Sequence, residues 1–468
     1  MYDRGMQSDL LSEFYRPAPA VNVFEEPANL SRIKGFFTWK DTVLYGRCSK
    51  GTLQRSPGRD LCDVSEYSAW HDGRCTLPFD PTEVAENLRR ERYISLPLPV
   101  SRHLPNLIRR TYYSVRPFLN VACRRPLQRA YLQGRQRPPF PRWPVDTSVE
   151  RLSETLMHEV CEHSQCGEAP FIWFWPEGAE GCVIMTHDVE ERAGLDLCGH
   201  LMDLDQAFGV PASFQIVPEE RYTLPTGFLH ELVRRGFEVN VQDLNHDGKL
   251  FQDRTEFERR MVLIEEYRRE FGASGFRSGS MYRNQDWYDQ LHFQFDMSVP
   301  NVAHLEPQRG GCCTVMPYFV GRVLELPLTT AEDYSLFHIL GDYSISLWKQ
   351  QVDLILRKNG LISFLVHPDY IRSSREHEVY LELLRYLDSV RVNRKLWFAL
   401  PGDVNEWWRQ RAAMELVWEE SGWAIKGPGS DRARIAYATI QEGDLVYEVS
   451  PREQQERSAP RPSALEAP

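Results

Sequence analysis

Asp188 and Glu190, in the run Thr186-His187-Asp188-Val189-Glu190, are the first residues whose types and spacing could do chemistry. On an extended chain, residues i and i+2 point to the same side. Two like charges held that close need a cation or a shared proton between them. The same pair also suits the start of a helix, where acids are favoured in any soluble protein. The second candidate is Gln242-Asp243-Leu244-Asn245-His246. Histidines at i and i+4 would present two imidazoles on one face of a helical turn, an arrangement that binds a divalent metal. Here the first position holds Gln242, a neutral and weak ligand, with Asp243 and Asp247 close by as substitutes. A single His246 after a strand also fits an ordinary structural role.

His367 ends the apolar run 361–366 and is followed by Pro368 and Asp369. A histidine presented there suits a general acid, or else a capped, hydrogen-bonded side chain. Arg277, in Gly275-Phe276-Arg277-Ser278-Gly279, could hold a catalytic carboxylate with two donors or make a structural ion pair.

The elements that must position these residues follow a regular pattern. Apolar strand-like runs occur at 182–187, 212–217, 237–242, 275–278, 295–300, 323–328, 361–366 and 396–400. Helix-period segments lie between several of them, at 191–208, 226–235, 255–271, 345–358 and 375–391. Alternating strand and helix implies a parallel sheet, and this many strands favours closure into a barrel. Sites on such sheets lie at the C-terminal strand ends. Those ends carry Asp188 and Glu190, Gln242 and His246, Arg277, Asp296, and His367, all expected to converge on one mouth.

The order and spacing of these motifs resemble the polysaccharide deacetylases of carbohydrate esterase family 4, over about 220 residues or nearly half the chain. The resemblance implies a (β/α) barrel and a metal-dependent hydrolase that removes N- or O-acetyl groups from sugars, with zinc as the expected metal. It implies Asp188 as base, Arg277 as the residue that steadies it and His367 as acid. Glu190 and His246 become metal ligands, and Gln242 occupies the position of the family's first metal histidine. Glu190 stands where the family usually has aspartate, and Ser278-Gly279 departs from its proline-containing arginine motif. The rival expectation, from Gln242, is a catalytically silent relative that binds glycan or organises polysaccharide assembly. A third is hydrolysis of a different C–N bond.

Outside this region the signals are sparser. Residues 1–147 read as an irregular N-terminal region, with one clear helix announced by Asp80-Pro81-Thr82-Glu83. Ten arginines and no acid fall between Ser101 and Val145. That segment, 102–142, could rest on an anionic membrane surface, where lipid-linked sugars would be natural substrates, or pair with acids of the barrel. A helix from about Ser148 opens the barrel region, taken as 148–405. Runs at 414–418, 423–426, 433–440 and 445–449 predict a small antiparallel β unit over 406–450, followed by a disordered tail at 451–468. A net charge of −11 argues against nucleic-acid binding. Without an apolar leader or an eighteen-residue apolar run, the expectation is a cytoplasmic protein, peripheral at the membrane at most, with its ten cysteines as reduced thiols.

Overall fold

The computed structural model describes residues 9–21, 23–25, 27–58, 60–94, 138–164, 167–420 and 422–451. Most of the arginine-rich segment and the tail after residue 451 lie outside the described residues.

The strands of the main sheet are β1 (Gly181–Val189), β2 (Ala212–Ile216), β3 (Glu238–Gln242), β4 (Gly275–Arg277), β5 (Phe295–Asp296), β6 (Tyr318–Val320), β7 (Val323–Glu325), β8 (Leu361–Leu365) and β9 (Leu396–Phe398). Their order is β6-β7-β5-β4-β3-β2-β1-β8, with β9 also on β1. Every pairing is parallel except β6 with β7. Strands covered on both faces read as near-continuous apolar runs, and all nine residues of β1 are buried. β6 was not foreseen in the sequence: it is a three-residue edge strand with no run of its own.

Long β1 organises the sheet. One of its edges pairs with β9 over Gly181–Val183 and then with β2 over Met185–Val189, while the other pairs with β8 over Cys182–Thr186. The sheet curls until the chain beyond β7 reaches β8. There the Thr330 amide donates to Ser363 O at 3.3 Å. The Thr329 and Thr330 hydroxyls donate to Leu361 O and Ser363 O at 2.7 and 2.8 Å. Hydroxyls thus close the seam where the ladder does not run.

Six helices, α1 (Cys198–Ala207), α2 (Phe228–Arg234), α3 (Arg254–Phe271), α4 (Ser346–Leu356), α5 (Ser374–Asn393) and α6 (Pro401–Ala412), accompany the sheet. α3 shows how local sequence sets such an element. Asp253 caps its start by accepting from the Glu256 amide, and Gly272 ends it in the left-handed region. Its Phe257, Met261 and Ile264 are buried at helical spacing. Leu201, Leu232, Trp348, Leu383 and Leu384 pack in one core with Met185, Phe214 and Phe364 of the strands. Each such side chain contributes roughly 1.5–3 kcal/mol relative to exposure.

The flanking parts share a second core that runs from Leu10 to Ala438. Strand Glu168–Ile172 pairs antiparallel with Ile435–Gln441, which in turn pairs with Asp444–Val449. Asp80 caps the helix Pro81–Arg89 as the sequence predicts. Arg411 of α6 is buried and donates to the carbonyls of Phe14, Ile172 and Trp173 at 2.7–3.0 Å. Burial pushes its guanidinium down to about 9.

Candidate functional site

The polar strand ends meet where β1, β3, β4 and β8 finish. Asp188 lies near the end of β1 and is 3 % exposed. Gln242 closes β3 and is the register partner of Arg277 on β4. The Gln242 amide donates from Nε2 to Asp188 Oδ2 at 2.9 Å and to Glu190 Oε1 at 3.5 Å. Arg277 is fully buried, with Nη1 3.5 Å from Asp188 Oδ1 and Nη2 donating to Thr186 Oγ1 at 3.1 Å.

Glu190 Oε1 is the hub. His246 Nε2 lies 2.8 Å from it, off the line of a good hydrogen bond, and His367 Nε2 lies 3.5 Å from it. Tyr370 donates its hydroxyl to Oε2 at 3.4 Å. The ligand atoms of Asp188, Glu190 and His367 fall within 4.8 Å of one another. Asp188 Oδ1, Gln242 Oε1 and His246 Nε2 are buried without a hydrogen-bond partner. Orphaned atoms of this kind are what an ion or ordered water satisfies.

The electrostatics separate the two acids. Burial raises the Asp188 carboxyl above its usual range, with Arg277 opposing. Burial would raise Glu190 as well, but His246 and His367 outweigh it and hold Glu190 well below its usual range. Burial disfavours a charged His367, yet Asp333 and Glu190 hold it well above the ordinary histidine value. His246 is raised too, with Glu190 outweighing burial.

The expectation of a helical turn from Gln242 to His246 is corrected. Gln242 is a strand residue, and His246 sits in an irregular turn in which Asp243 and His246 adopt φ of 52° and 54°. Such left-handed conformations at non-glycine residues are strained. The turn carries the imidazole to Glu190. Asp247 makes no substitute ligand, because Arg260 takes both its oxygens at 2.8 and 2.9 Å.

Asp296 does not join the others. Tyr288 donates to its Oδ2 at 2.6 Å and Ser298 to its Oδ1 at 2.7 Å, and its register partner is Glu325. Two-residue β5 delivers that carboxylate to a separate buried cluster.

Sequence reasoning missed three partners. Asp333 grips His367, with Oδ2 accepting its backbone N–H at 2.7 Å and Oδ1 facing Nδ1 at 2.6 Å. An acid shortly after the run 323–328 is the signal that could have found it. Asp369, named in the sequence beside His367 and Pro368 but given no role there, accepts from the amides of Glu190, Glu191 and Gly194. Arg221 donates to His246 Nδ1 at 3.1 Å, so a neutral His246 carries its proton on Nε2, toward Glu190. A second group, Glu159, Glu162 and His163, also has ligand-like spacing. Its Glu159 is already engaged by Lys40 and by Trp70 Nε1.

No protein-family model and no curated protein matches the chain. Among solved structures, an allantoinase is 13% identical, with a TM-score of 0.41, over 50% of this chain and 92% of its own. A protein described as a polysaccharide deacetylase from Pseudomonas aeruginosa is 14% identical, with a TM-score of 0.40, over 50% of this chain and 93% of its own. The chain is likewise similar to a protein described as a polysaccharide deacetylase from Mycobacterium smegmatis, at 17% identity and a TM-score of 0.39, over 51% of this chain and 93% of that one.

Proposed function

We propose that the chain is a metal-dependent hydrolase that removes acetyl groups from amino sugars of a polysaccharide or its precursor. The observation that carries this reading is the pairing of Asp188 with His367, whose ligand atoms lie within 4.8 Å of each other and of Glu190. One is a carboxylate made more basic by burial, and the other is an imidazole kept protonated by Asp333. Paired groups whose surroundings push them toward opposite roles are the mark of an acid–base site.

The donor set fits a divalent cation such as zinc. Glu190 would hold it, joined by His246 through Nε2 once that nitrogen gives up its proton and by Gln242 Oε1, a weak ligand, once its amide turns over, with Asp188 Oδ1 adjacent. When bound, the metal supplies polarisation of the acyl carbonyl and acidification of water. Asp188 takes the proton of the attacking water through Oδ1 or Oδ2, and Arg277 keeps that carboxylate oriented. His367 gives its Nε2 proton to the departing amine, and Asp333 fixes the ring by its contact at Nδ1.

A second reading, a silent glycan-binding or scaffold relative, is favoured by two contacts. Gln242 turns its amide donors toward both carboxylates, and Arg221 donates to the His246 nitrogen that in metal sites usually faces an acceptor. Metal analysis of wild type beside Gln242→His separates the two. About one tightly held divalent ion in wild type, with deacetylation of acetylated oligosaccharides, supports the hydrolase. Metal in the histidine variant alone supports the scaffold.

A further inference from the structure

His187 precedes Asp188 on β1 and so points to the opposite face of that strand, and the proposed chemistry leaves it unused. It is fully buried. Its Nδ1 lies 2.9 Å from Val366 O, and its Nε2 lies 2.9 Å from Asp205 Oδ2 on α1. The other oxygen of Asp205 accepts from the hydroxyl of Tyr380 on α5. Both ring nitrogens therefore face oxygen acceptors inside the fold, and neither is available to a substrate.

The location of that contact gives it meaning. The β1–β8 register ends at the pair Thr186 and Leu365. One more backbone bond follows, from the Val366 amide to Thr186 O at 3.0 Å. Beyond it the two strands separate, and the His187 ring takes the next carbonyl in line, that of Val366. His367 follows at once, with its own amide held by Asp333 at 2.7 Å. The peptide bearing the proposed acid is thus fixed on one side by Asp333 and on the other by a ring belonging to the neighbour of the proposed base.

We infer that His187, anchored by Asp205 and Tyr380, is a positioning residue that sets His367 opposite Asp188 by holding the Val366 carbonyl. The inference rests on the acid–base reading of those two residues. A water-filled or apolar substitute would leave the carbonyl without a donor and the acid free to shift. Small displacements of a reacting group cost large factors in rate.

The test compares wild type, His187→Gln and Tyr380→Phe. Turnover of an acetylated chito-oligosaccharide is measured alongside the low-field Nδ1 proton resonance of His367 in histidine-labelled protein. The expected result for His187→Gln is a fall in kcat of at least tenfold, with KM within twofold and the His367 resonance broadened or lost. Tyr380→Phe, which removes one hydroxyl and keeps the ring, gives a smaller change in the same direction and serves where the glutamine variant does not fold. Unchanged kcat and an unchanged resonance in the folded variants overturn the inference. If wild type hydrolyses no acetylated sugar, the functional reading fails by itself, and the resonance still decides whether His187 sets the position of His367.

Discussion

Asp333 holds His367 at two points, with Oδ2 accepting the backbone N–H at 2.7 Å and Oδ1 facing ring Nδ1 at 2.6 Å. One carboxylate thereby sets the position, the orientation and the charge of the same residue. The third of these can be read directly as pH dependence.

Burial works against a charged His367, but Asp333 and Glu190 lift it well above the ordinary histidine value of 6.5. A raised folded-state value stabilises the protein fully below that ordinary value, and the contribution disappears as pH rises through the raised one. Asp333→Asn should move the alkaline limb of kcat to lower pH. It should lower the thermal midpoint more at pH 6 than at pH 9. A kcat profile identical to wild type would remove His367 from the role of acid.

Asp188→Asn keeps the shape and the Gln242 contact but removes the basic lone pairs. Loss of a general base costs roughly 100- to 10,000-fold in rate. The expected outcome is a fall of that size in kcat with the thermal midpoint little changed, read by acetate release and calorimetry. A variant retaining more than a tenth of the activity would place the base elsewhere.

Glu325 gives a prediction on stability alone. Burial and the neighbouring Asp296 push its carboxyl well above its ordinary value of 4.5. Its Oε1 accepts the Val299 N–H at 2.9 Å. The stability it provides is present below the ordinary value and lost as pH rises through the raised one. Glu325→Gln keeps an acceptor and is neutral throughout. It should therefore match wild type near pH 4 and exceed it in thermal midpoint at pH 8. A lower midpoint at both values would mean that the proton is not what Glu325 contributes.

Gly194 lies against Asp369, and a Cβ there would stand 2.3 Å from Oδ2 and 2.7 Å from Oδ1. That carboxylate accepts from the amides of Glu190 at 3.1 Å and Gly194 at 2.8 Å, and burial raises it to about 6. Gly194→Ala should force Asp369 away and loosen the turn that carries Glu190. The expected cost is about 1–3 kcal/mol of stability, the usual range for overpacking. Metal affinity should fall in parallel, measured by titration calorimetry.

Much of the fold was legible in order along the chain. The alternation of apolar runs and helix-period segments yields β1 to β5 and β7 to β9 with their intervening helices, because burial on both faces and helical amphipathicity each leave a local pattern. Asp188, Glu190, Gln242, His246, Arg277 and His367 could be picked out because strand ends in such sheets are where polar residues gather. Three-residue β6 left no such pattern, and β5 was read longer than it is.

What tertiary structure alone decided is which of those residues touch, and what each one touches. Gln242 and Asp188 are 54 positions apart, His367 and Asp333 are 34 apart, and Arg221 reaches His246 across 25. Such pairs depend on strand register, on the left-handed turn at Asp243 and His246, and on the curl that brings Thr329 and Thr330 to β8. Residue type and spacing report what a side chain can do, whereas the direction it faces and the charge beside it are set by long-range packing. For that reason Asp296 and His246 looked equivalent at their strand ends, while the fold committed one to a buried acid cluster and the other to Glu190.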